Sequence, residues 1–251
     1  KSTSSIVGVD AATIAAWLFQ PPVSGKQLDF LSTISLVGGE LSVEDRRLQK
    51  TWNSPVEYAE LTRTGTEVSL SAQLQLDLGG EVSDISLSGR LERYQKKMFA
   101  HIGFSRLPLA PVLEYFDKLG HLNNIDLIGD GFVSVESDLN GIINSSRFEI
   151  NGGAGSITLP NLPGQKLLVE NAYLKGKVIR TQDSVSIERL KIRFDPSGLL
   201  KLPQPIHHNI PIREVDVRGN YYPSQRKFEI LESEVDFSGP IGGFTGTVNL
   251  L

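Results

Sequence analysis

The sequence predicts a mainly β protein, a curved antiparallel meandering sheet with two short helices packed on it. Apolar and polar residues alternate with period two through much of the 251-residue chain, most clearly from Val68 to Leu78. Turn-forming residues separate the alternating segments, and the chain contains 24 glycines and 13 prolines. Because tight turns join antiparallel neighbours, about a dozen short strands at this spacing favour a meander.

The alternating segments are predicted strands, each with one apolar and one polar face. After the segment at 68–78 they comprise Ile85–Leu91, Phe132–Leu139, Arg147–Ile150, Ser156–Leu159, Leu167–Ile179, Ser184–Phe194, Ile212–Tyr221, Lys227–Leu231 and Glu234–Phe237. A glycine run at 151–156 is followed by a strand-like segment, whereas a phosphate-binding loop is followed by a helix. We therefore interpret this run as a turn or bulge rather than a nucleotide site.

Two segments interrupt the period-two pattern and are predicted helices. Asp10 can cap a helix over 11–19, which the prolines at 21 and 22 end. A second helix is predicted from Pro108 to Leu119, followed by Gly120 as its C-terminal stop. Its apolar residues share one stripe: Leu109, Val112, Leu113, Phe116 and Leu119. We expect both helices to cover apolar surface of the sheet.

Similar sequences follow each predicted helix, which suggests two copies of a unit made of one helix and several strands. Residues Ile34–Glu44 can be aligned with Ile125–Glu136 if one insertion is allowed, although chance similarity is an alternative. We predict two units, 1–104 and 105–251, that share one continuous sheet. The first residue, Lys1, is not an initiator methionine, and the last residues have the pattern of a strand. We therefore expect this chain to be a fragment of a longer protein.

Composition argues against several classes of function. The chain has 25 basic and 29 acidic residues, a net charge of -4, whereas nucleic-acid binding depends on clustered Lys and Arg. It has no cysteine, which excludes disulfides, thiol nucleophiles and thiolate metal sites. The longest mostly apolar stretch, 11–19, is much shorter than the ~20 residues that a membrane-spanning helix needs.

No catalytic or metal-binding constellation is recognisable, so we expect neither an enzyme nor a cofactor or metal site. No Gly-x-Ser-x-Gly nucleophile elbow is present. The four histidines lack the spacing of a zinc site: His101, His121, His207 and His208. One charged stripe alternates with apolar residues, and we interpret it as the polar face of a strand: Arg189, Lys191 and Arg193.

The apolar faces of so many strands exceed what two short helices obviously cover. A sandwich would bury them by packing sheet on sheet. A curved sheet could instead keep an apolar concave face that accepts an apolar ligand. Each well-buried apolar side chain contributes about 1.5–3 kcal/mol, so an empty groove would be costly, and the residue pattern alone favours the sandwich.

Several segments resemble AsmA-like bacterial envelope proteins of the YhdP/TamB type, a superfamily of repeating β-groove proteins. The resemblance covers most of the chain from about residue 30. It is carried by patterns of turns and strands at Leu41–Pro55, Val56–Leu61, Arg63, Leu127–Gly131, Phe148–Pro160 and Leu168–Gly176. The resemblance implies a β-groove module in the periplasm of Gram-negative bacteria, with an inner-membrane anchor in the full-length protein. It also implies phospholipid transport between the inner and outer membranes.

Under this hypothesis the module is a passive, non-enzymatic conduit. Acyl chains would lie on the apolar face, and headgroups would stay in water at the open edge. The candidate lipid-binding residues that line the groove are Val68, Leu70, Leu74, Leu76, Leu78, Ile85, Leu87, Leu91, Val133, Val135, Phe148, Ile150, Leu190, Ile192 and Phe194. Each is equally readable as part of an ordinary core.

Two alternatives belong to other functional classes. The first is a structural module with a filled core and no ligand, whose open sheet edges pair with flanking repeats of the same chain or with envelope proteins. The second is an enzyme, for instance a glycan hydrolase with paired carboxylates. Bound phospholipid would favour the conduit, and a polar cleft holding two close carboxylates would favour the enzyme.

Overall fold

The fold is an open antiparallel meander with one large sheet. The computed structural model describes residues 31–45, 50–78, 81–110, 125–139, 142–158, 166–179, 184–196, 199–201, 209–225 and 227–249. Within these residues the large sheet has thirteen strands, and a separate pair forms a two-stranded sheet. The predicted mainly β class and the meandering antiparallel sheet are therefore confirmed.

The strands follow one another across the large sheet in almost the same order as along the chain. In chain order they are β1 (Thr33–Asp45), β2 (Lys50–Arg63), β3 (Glu67–Asp77), β4 (Val82–Glu92), β5 (Lys97–Pro108), β6 (Ile125–Asp138), β7 (Ile143–Thr158), β8 (Lys166–Ile179), β9 (Ser184–Phe194), β10 (Leu199–Lys201), β11 (Asn209–Pro211), β12 (Glu214–Tyr222), β13 (Lys227–Asp236), β14 (Ile241–Gly242) and β15 (Gly246–Asn249). Strands β10 and β11 pair with each other, so β9 is followed in the sheet by β12. Both β14 and β15 pair with β13.

The predicted helices contribute little to the described structure. The first, at 11–19, lies outside the described residues. The second was predicted to begin at Pro108, which is wrong, because Pro108 is the last residue of β5 and lies opposite Ile128. Proline is tolerated at the end of a strand, where its missing N–H removes little of the ladder. Helical conformation begins at Leu109, and residues 111–119 lie outside the described residues.

Two predicted strand breaks are wrong, because bulges take the place of turns. Strand β7 runs through the glycine run, with a register shift where Gly152 and Gly155 face Gly129 and Leu127. The bulge predicted for this run is thus present, but the strand does not end there. Strand β13 runs through the gap predicted at 232–233, and its extra residue is Leu231. A bulge adds one residue and inverts the alternation, which resembles a strand end in the sequence.

Strand β5 carries a bulge that a small polar network stabilises. Its residues Ser105 and Arg106 separate the pairs that Phe104 and Leu107 form with β6, and Arg106 has a positive φ of 54°. The fully buried Ser83 hydroxyl donates to the Arg106 carbonyl at 3.0 Å. The Arg106 N–H donates to the Asp130 carboxylate at 2.8 Å. These bonds satisfy the backbone groups that the bulge removes from the ladder.

Glycine allows neighbouring backbones to approach closely within the sheet. A Cβ on Gly131 would collide with the carbonyl oxygen of Glu149 on β7. A Cβ on Gly176 would lie 2.6 Å from the carbonyl oxygen of Ser186 and 2.5 Å from the Phe148 ring. No real Cβ fits these distances, so the local path of β6 and β8 requires glycine.

The main hydrophobic core lies at one end of strands β6 to β9. Its buried residues are Leu127, Leu167, Val169 and Phe194. Partly buried neighbours surround them: Leu109, Ile125, Ile157, Ala172, Ile192, Ile212 and Val215. The core is therefore a local cluster at one end of these four strands. It is not a layer between two packed sheets, as a sandwich would have.

Candidate functional site

Strand register places one continuous row of apolar residues across the large sheet. Residues directly opposite each other in an antiparallel pair lie on the same face, so successive partners define a row. This central apolar row crosses twelve strands: Leu36, Ala59, Ala72, Leu87, Ile102, Val133, Phe148, Gly176, Ile187, Gly219, Ile230 and Gly246. None of its members has a polar side chain. We name the side of the sheet that carries this row the apolar face.

Rows on either side of the central apolar row are also largely apolar. One comprises Ile34, Leu61, Leu70, Gly89, Ala100, Val135, Ser146, Val178, Val185, Tyr221, Phe228 and Val248. The other comprises Gly39, Val56, Leu74, Ile85, Phe104, Gly131, Ile150, Leu174, Leu190, Val217 and Ser233. At a strand spacing of about 4.8 Å, the three rows form an apolar strip roughly 50 Å long.

One row on the opposite side of the sheet is polar on every strand that it crosses. The row next to the central apolar row consists of Ser35, Glu60, Ser71, Ser88, His101, Ser134, Arg147, Lys177, Ser186, Asn220, Glu229 and Thr247. We name this the polar row and its side the polar face. Over twelve neighbouring strands, the central apolar row and the polar row thus stay on opposite faces, in spite of several bulges.

The apolar face is covered unevenly. Around the core cluster its residues are buried, and Val169 has only 3% of its surface exposed. Over β1 to β5 several of its residues remain open, with Leu36 at 48%, Leu70 at 42% and Ile102 at 40% exposure. Within the described residues the only other sheet is the two-stranded pair of β10 and β11, which has far fewer strands than this face. The core cluster thus lies beside the apolar strip, at one end of β6–β9. Within the strip itself, exposed and buried residues are interspersed: Ile34, Leu36, Leu70 and Ile102 are exposed, and Val56, Ala72, Val217 and Ile230 are buried.

The fifteen predicted groove residues lie in or beside strands of the large sheet. Register places fourteen of them on the apolar face, and Leu78 follows the end of β3. Val68 and Phe194 are buried, and Phe194 belongs to the core cluster. Leu70 is exposed, and the other twelve are half-buried. A ligand on the surface could therefore not reach Val68 or Phe194. The other thirteen positions have exposed surface that a ligand could contact.

Residues of the same face on β1, β2 and β5 were not identified from the sequence pattern. They include Leu36, Leu61, Ile102 and Phe104. In β2 a bulge between Val56 and Tyr58 inverts the alternation. In β5 apolar residues fall on both faces, so no clear period is visible before the partners are known.

Ion pairs link neighbouring strands on the polar face. The predicted charged stripe on β9 supplies three of these ion pairs. Arg189 pairs with Asp216. Both Lys191 and Arg193 pair with Glu214. The Lys191 ammonium, 2.7 Å from Glu214, holds the pKa of that carboxyl below its ordinary value. The hydrogen bond to Asp216 raises the pKa of Arg189. These residues stabilise cross-strand contacts and do not form a cleft with catalytic geometry.

Neither a metal site nor a membrane-spanning helix is found in the described part of the chain. No group of three or more His, Asp or Glu side chains comes together there in an arrangement that could hold a metal ion. The same residues include no helix with the length and hydropathy needed to cross a bilayer. Of the four histidines, His101 lies in β5, where its Nδ1 is 2.8 Å from Ser134 Oγ, and the others lie outside the described residues.

Comparison with known proteins identifies no relative. No protein-family model, no curated protein and no solved structure matches this chain. The apolar strip and its exposure are therefore the main basis for assigning a function.

Proposed function

We propose that this chain is a non-enzymatic module that binds phospholipid acyl chains along its apolar face. The observation that carries the proposal is the central apolar row, which contains no polar side chain over twelve strands. A row of this length is suited to an extended, featureless hydrocarbon. It offers no directional polar group that would select a compact ligand.

The open part of the apolar face gives hydrocarbon binding its driving force. Exposed apolar patches on a soluble domain are generally restricted to a few hundred Å² and often mark binding surfaces. Ile34, Leu36, Leu70 and Ile102 are all at least 40% exposed and lie on adjacent rows of β1 to β5. Covering them with hydrocarbon gains about 25 cal/mol for each Å² removed from water.

Dimensions support acyl chains rather than a small apolar ligand. The hydrocarbon core of a bilayer is about 30 Å thick, so one acyl chain extends roughly 15 Å. A strip roughly 50 Å long would therefore accommodate several chains placed end to end. Because the core cluster closes the apolar face at one end of β6–β9, headgroups would remain in water along the opposite strand ends.

The wider setting of this proposal comes from the resemblance to AsmA-like proteins. Several segments resemble that family, whose members extend from the inner membrane into the periplasm of Gram-negative bacteria: 41–61, Arg63, 127–131, 148–160 and 168–176. We propose the same location for this chain, with transport of phospholipid between the inner and outer membranes. Flanking repeats or envelope proteins would continue the strip past the edges of the large sheet.

A structural role is the second candidate, and one observation favours it. Strand β1 pairs only with β2 in the described part of the sheet, so its other edge offers backbone N–H and C=O groups for pairing. A scaffold would use that edge to join a neighbouring repeat and would carry no lipid. The two candidates differ in whether the purified chain contains phospholipid.

Native mass spectrometry after gentle extraction from Gram-negative periplasm tests the proposal. We expect the wild-type chain to carry phospholipid and Leu74→Asp to lose most of it. Gln73→Asp is the matched control, because Gln73 is the preceding residue of β3 and lies on the polar face. A wild-type chain without lipid would favour the scaffold. Full lipid occupancy in folded Leu74→Asp, checked by circular dichroism, would overturn the proposed binding surface.

A further inference from the structure

A second candidate binding site lies on the polar face, on the opposite side of the sheet from the apolar strip. A depression of about 420 Å³ lies over β4 to β7. Two parallel rows of four side chains line it: Ser88, His101, Ser134 and Arg147 in one, and Arg90, Phe99, Glu136 and Ser145 in the other. Short serine side chains among longer ones create the depression. Its volume lies within the range of small-molecule sites.

Arg147 gives this depression an uncompensated positive charge. Its side chain is exposed and forms no ion pair or hydrogen bond with other residues in the described part of the chain. On β8 it lies directly opposite Lys177, and like charges placed opposite each other are unfavourable. The Lys177 ammonium is paired with the Glu188 carboxylate at 3.3 Å. An anion beside Arg147 would relieve the repulsion that the protein leaves uncompensated.

The other charged residues of the depression are already paired. Glu136 is 2.6 Å from the Lys97 ammonium, which offsets its negative charge. Arg90 is 2.9 Å from Glu92 and lies over the Phe99 ring at 4.9 Å. The guanidinium of Arg147 is therefore the lining cation that remains available for a ligand.

Neutral polar groups next to Arg147 complete an anion-binding arrangement. Ser134 lies directly opposite Arg147, and Ser145 precedes Arg147 by two residues on the same face of β7. The His101 ring is held by its 2.8 Å contact with Ser134 and by stacking on Phe132, with ring centroids 5.2 Å apart. Hydroxyl donors beside a guanidinium match the oxygens of a phosphate group, which Arg binds in bidentate fashion.

We propose that this depression binds a phosphate monoester, with Arg147 as its charged contact and Ser145 as a hydroxyl donor. Ser134 is a second donor when His101 Nδ1 carries a proton and donates it to Ser134 Oγ. The depression extends past Arg147 to Arg90 and Phe99, so it has room for a molecule larger than inorganic phosphate. A phosphorylated sugar and the headgroup of phosphatidic acid, the phospholipid whose phosphate is a monoester, share this chemistry. The site is independent of the proposed acyl-chain strip, because it lies on the other face.

Titration of the intact chain with three probes, followed by the imidazole NMR signal of His101, tests the proposal. The probes are inorganic phosphate, glucose 6-phosphate and dihexanoyl phosphatidic acid, each at constant ionic strength maintained with sodium chloride. A His101→Gln variant assigns the signal. We expect saturable shifts with the phosphates. Tighter binding of glucose 6-phosphate would indicate a sugar phosphate, and tighter binding of the short-chain lipid would indicate a headgroup.

Variants distinguish a built site from general charge attraction. Loss of one charge-assisted contact should weaken phosphate binding roughly tenfold or more in Arg147→Gln. Arg218→Gln should leave the affinity unchanged, because Arg218 lies on another part of the sheet and is paired with Glu232 at 2.9 Å. Ser145→Ala should weaken binding more modestly and provides a second, smaller perturbation. Absence of a saturable shift, or equal affinity in wild type and Arg147→Gln, would overturn the proposal.

Discussion

Leu87 and Ser88 are consecutive residues of β4, yet each lies opposite residues of its own kind on both neighbouring strands. Leu87 faces Ala72 and Ile102. Ser88 faces Ser71 and His101. A shift of register by one residue would exchange the two faces along the whole strand. The register of the large sheet therefore determines where the apolar strip lies, and it can be tested through the contacts that support it.

Gly131 is expected to be intolerant of any side chain. In Gly131→Val the new Cβ would meet the Glu149 carbonyl oxygen, so the backbones of β6 and β7 would have to separate. We expect a loss of about 1–3 kcal/mol in the free energy of unfolding, measured by urea denaturation. Gly65→Ala is the control, since open space surrounds Gly65, and it should change stability by less than about 0.5 kcal/mol. Equal effects of the two substitutions would contradict the close approach at Gly131.

Phe194 should stabilise the fold far more than Leu70, although both lie on the apolar face. Phe194 is 7% exposed within the core cluster, whereas Leu70 is 42% exposed. Phe194→Ala should lower the free energy of unfolding by about 3–5 kcal/mol through cavity formation. Leu70→Ala should cost less than about 1 kcal/mol in lipid-free protein. Similar losses in urea denaturation would mean that the open part of the face is as well buried as the core.

Ser83 is expected to support the bulge in β5 through one buried hydrogen bond. In Ser83→Ala the Arg106 carbonyl loses the hydroxyl that donates to it at 3.0 Å. The unsatisfied carbonyl should lower stability by about 1–3 kcal/mol. Ser71→Ala on the exposed polar row serves as the control and should be nearly neutral. If thermal unfolding of the two variants is indistinguishable, the Ser83 hydroxyl does not stabilise the bulge.

Glu214 should contribute to the loss of stability in acid. Because Lys191 lowers the pKa of Glu214 in the folded chain, its contribution is present above the unfolded-state pKa, about 4.3. That contribution disappears as the pH falls through the lower folded-state pKa. Glu214→Gln should therefore lose less stability than wild type between pH 6 and pH 3, as measured by urea midpoints. The effect is expected to be small because the ion pair is solvent-accessible. If the stability of wild type and that of Glu214→Gln fall in parallel with pH, this ion pair does not contribute.

The sequence predicted the strands most accurately where alternation is uninterrupted. Strand β9 has the predicted bounds, Ser184–Phe194, and β3 differs from the prediction by one residue at each end. The errors at β7 and β13 arise from bulges, which in a single sequence resemble turns. Pairing between strands, and not the pattern of one strand, reveals that a glycine such as Gly152 lies inside a ladder.

The candidate site was predictable in part for a similar physical reason. Alternation assigns Leu74 and Leu87 to the apolar side of their own strands, and register then places them on one common face. Whether a position is core or open surface depends on what packs above it, which alternation does not encode. Phe194 and Leu70 illustrate the difference, since both fit the same pattern but only Phe194 belongs to the core cluster.

Photo-crosslinking at Leu74 and Gln73 tests the central claim most directly, namely that lipid lies on the apolar face. Each residue is replaced singly by p-benzoylphenylalanine, the chain is irradiated in Gram-negative cells, and phospholipid adducts are measured by mass spectrometry. We predict adducts from position 74 and essentially none from position 73, because the two side chains lie on opposite faces of β3 and Gln73 is not part of the depression on the polar face. Adducts of equal yield at both positions, or none at position 74, would contradict the account.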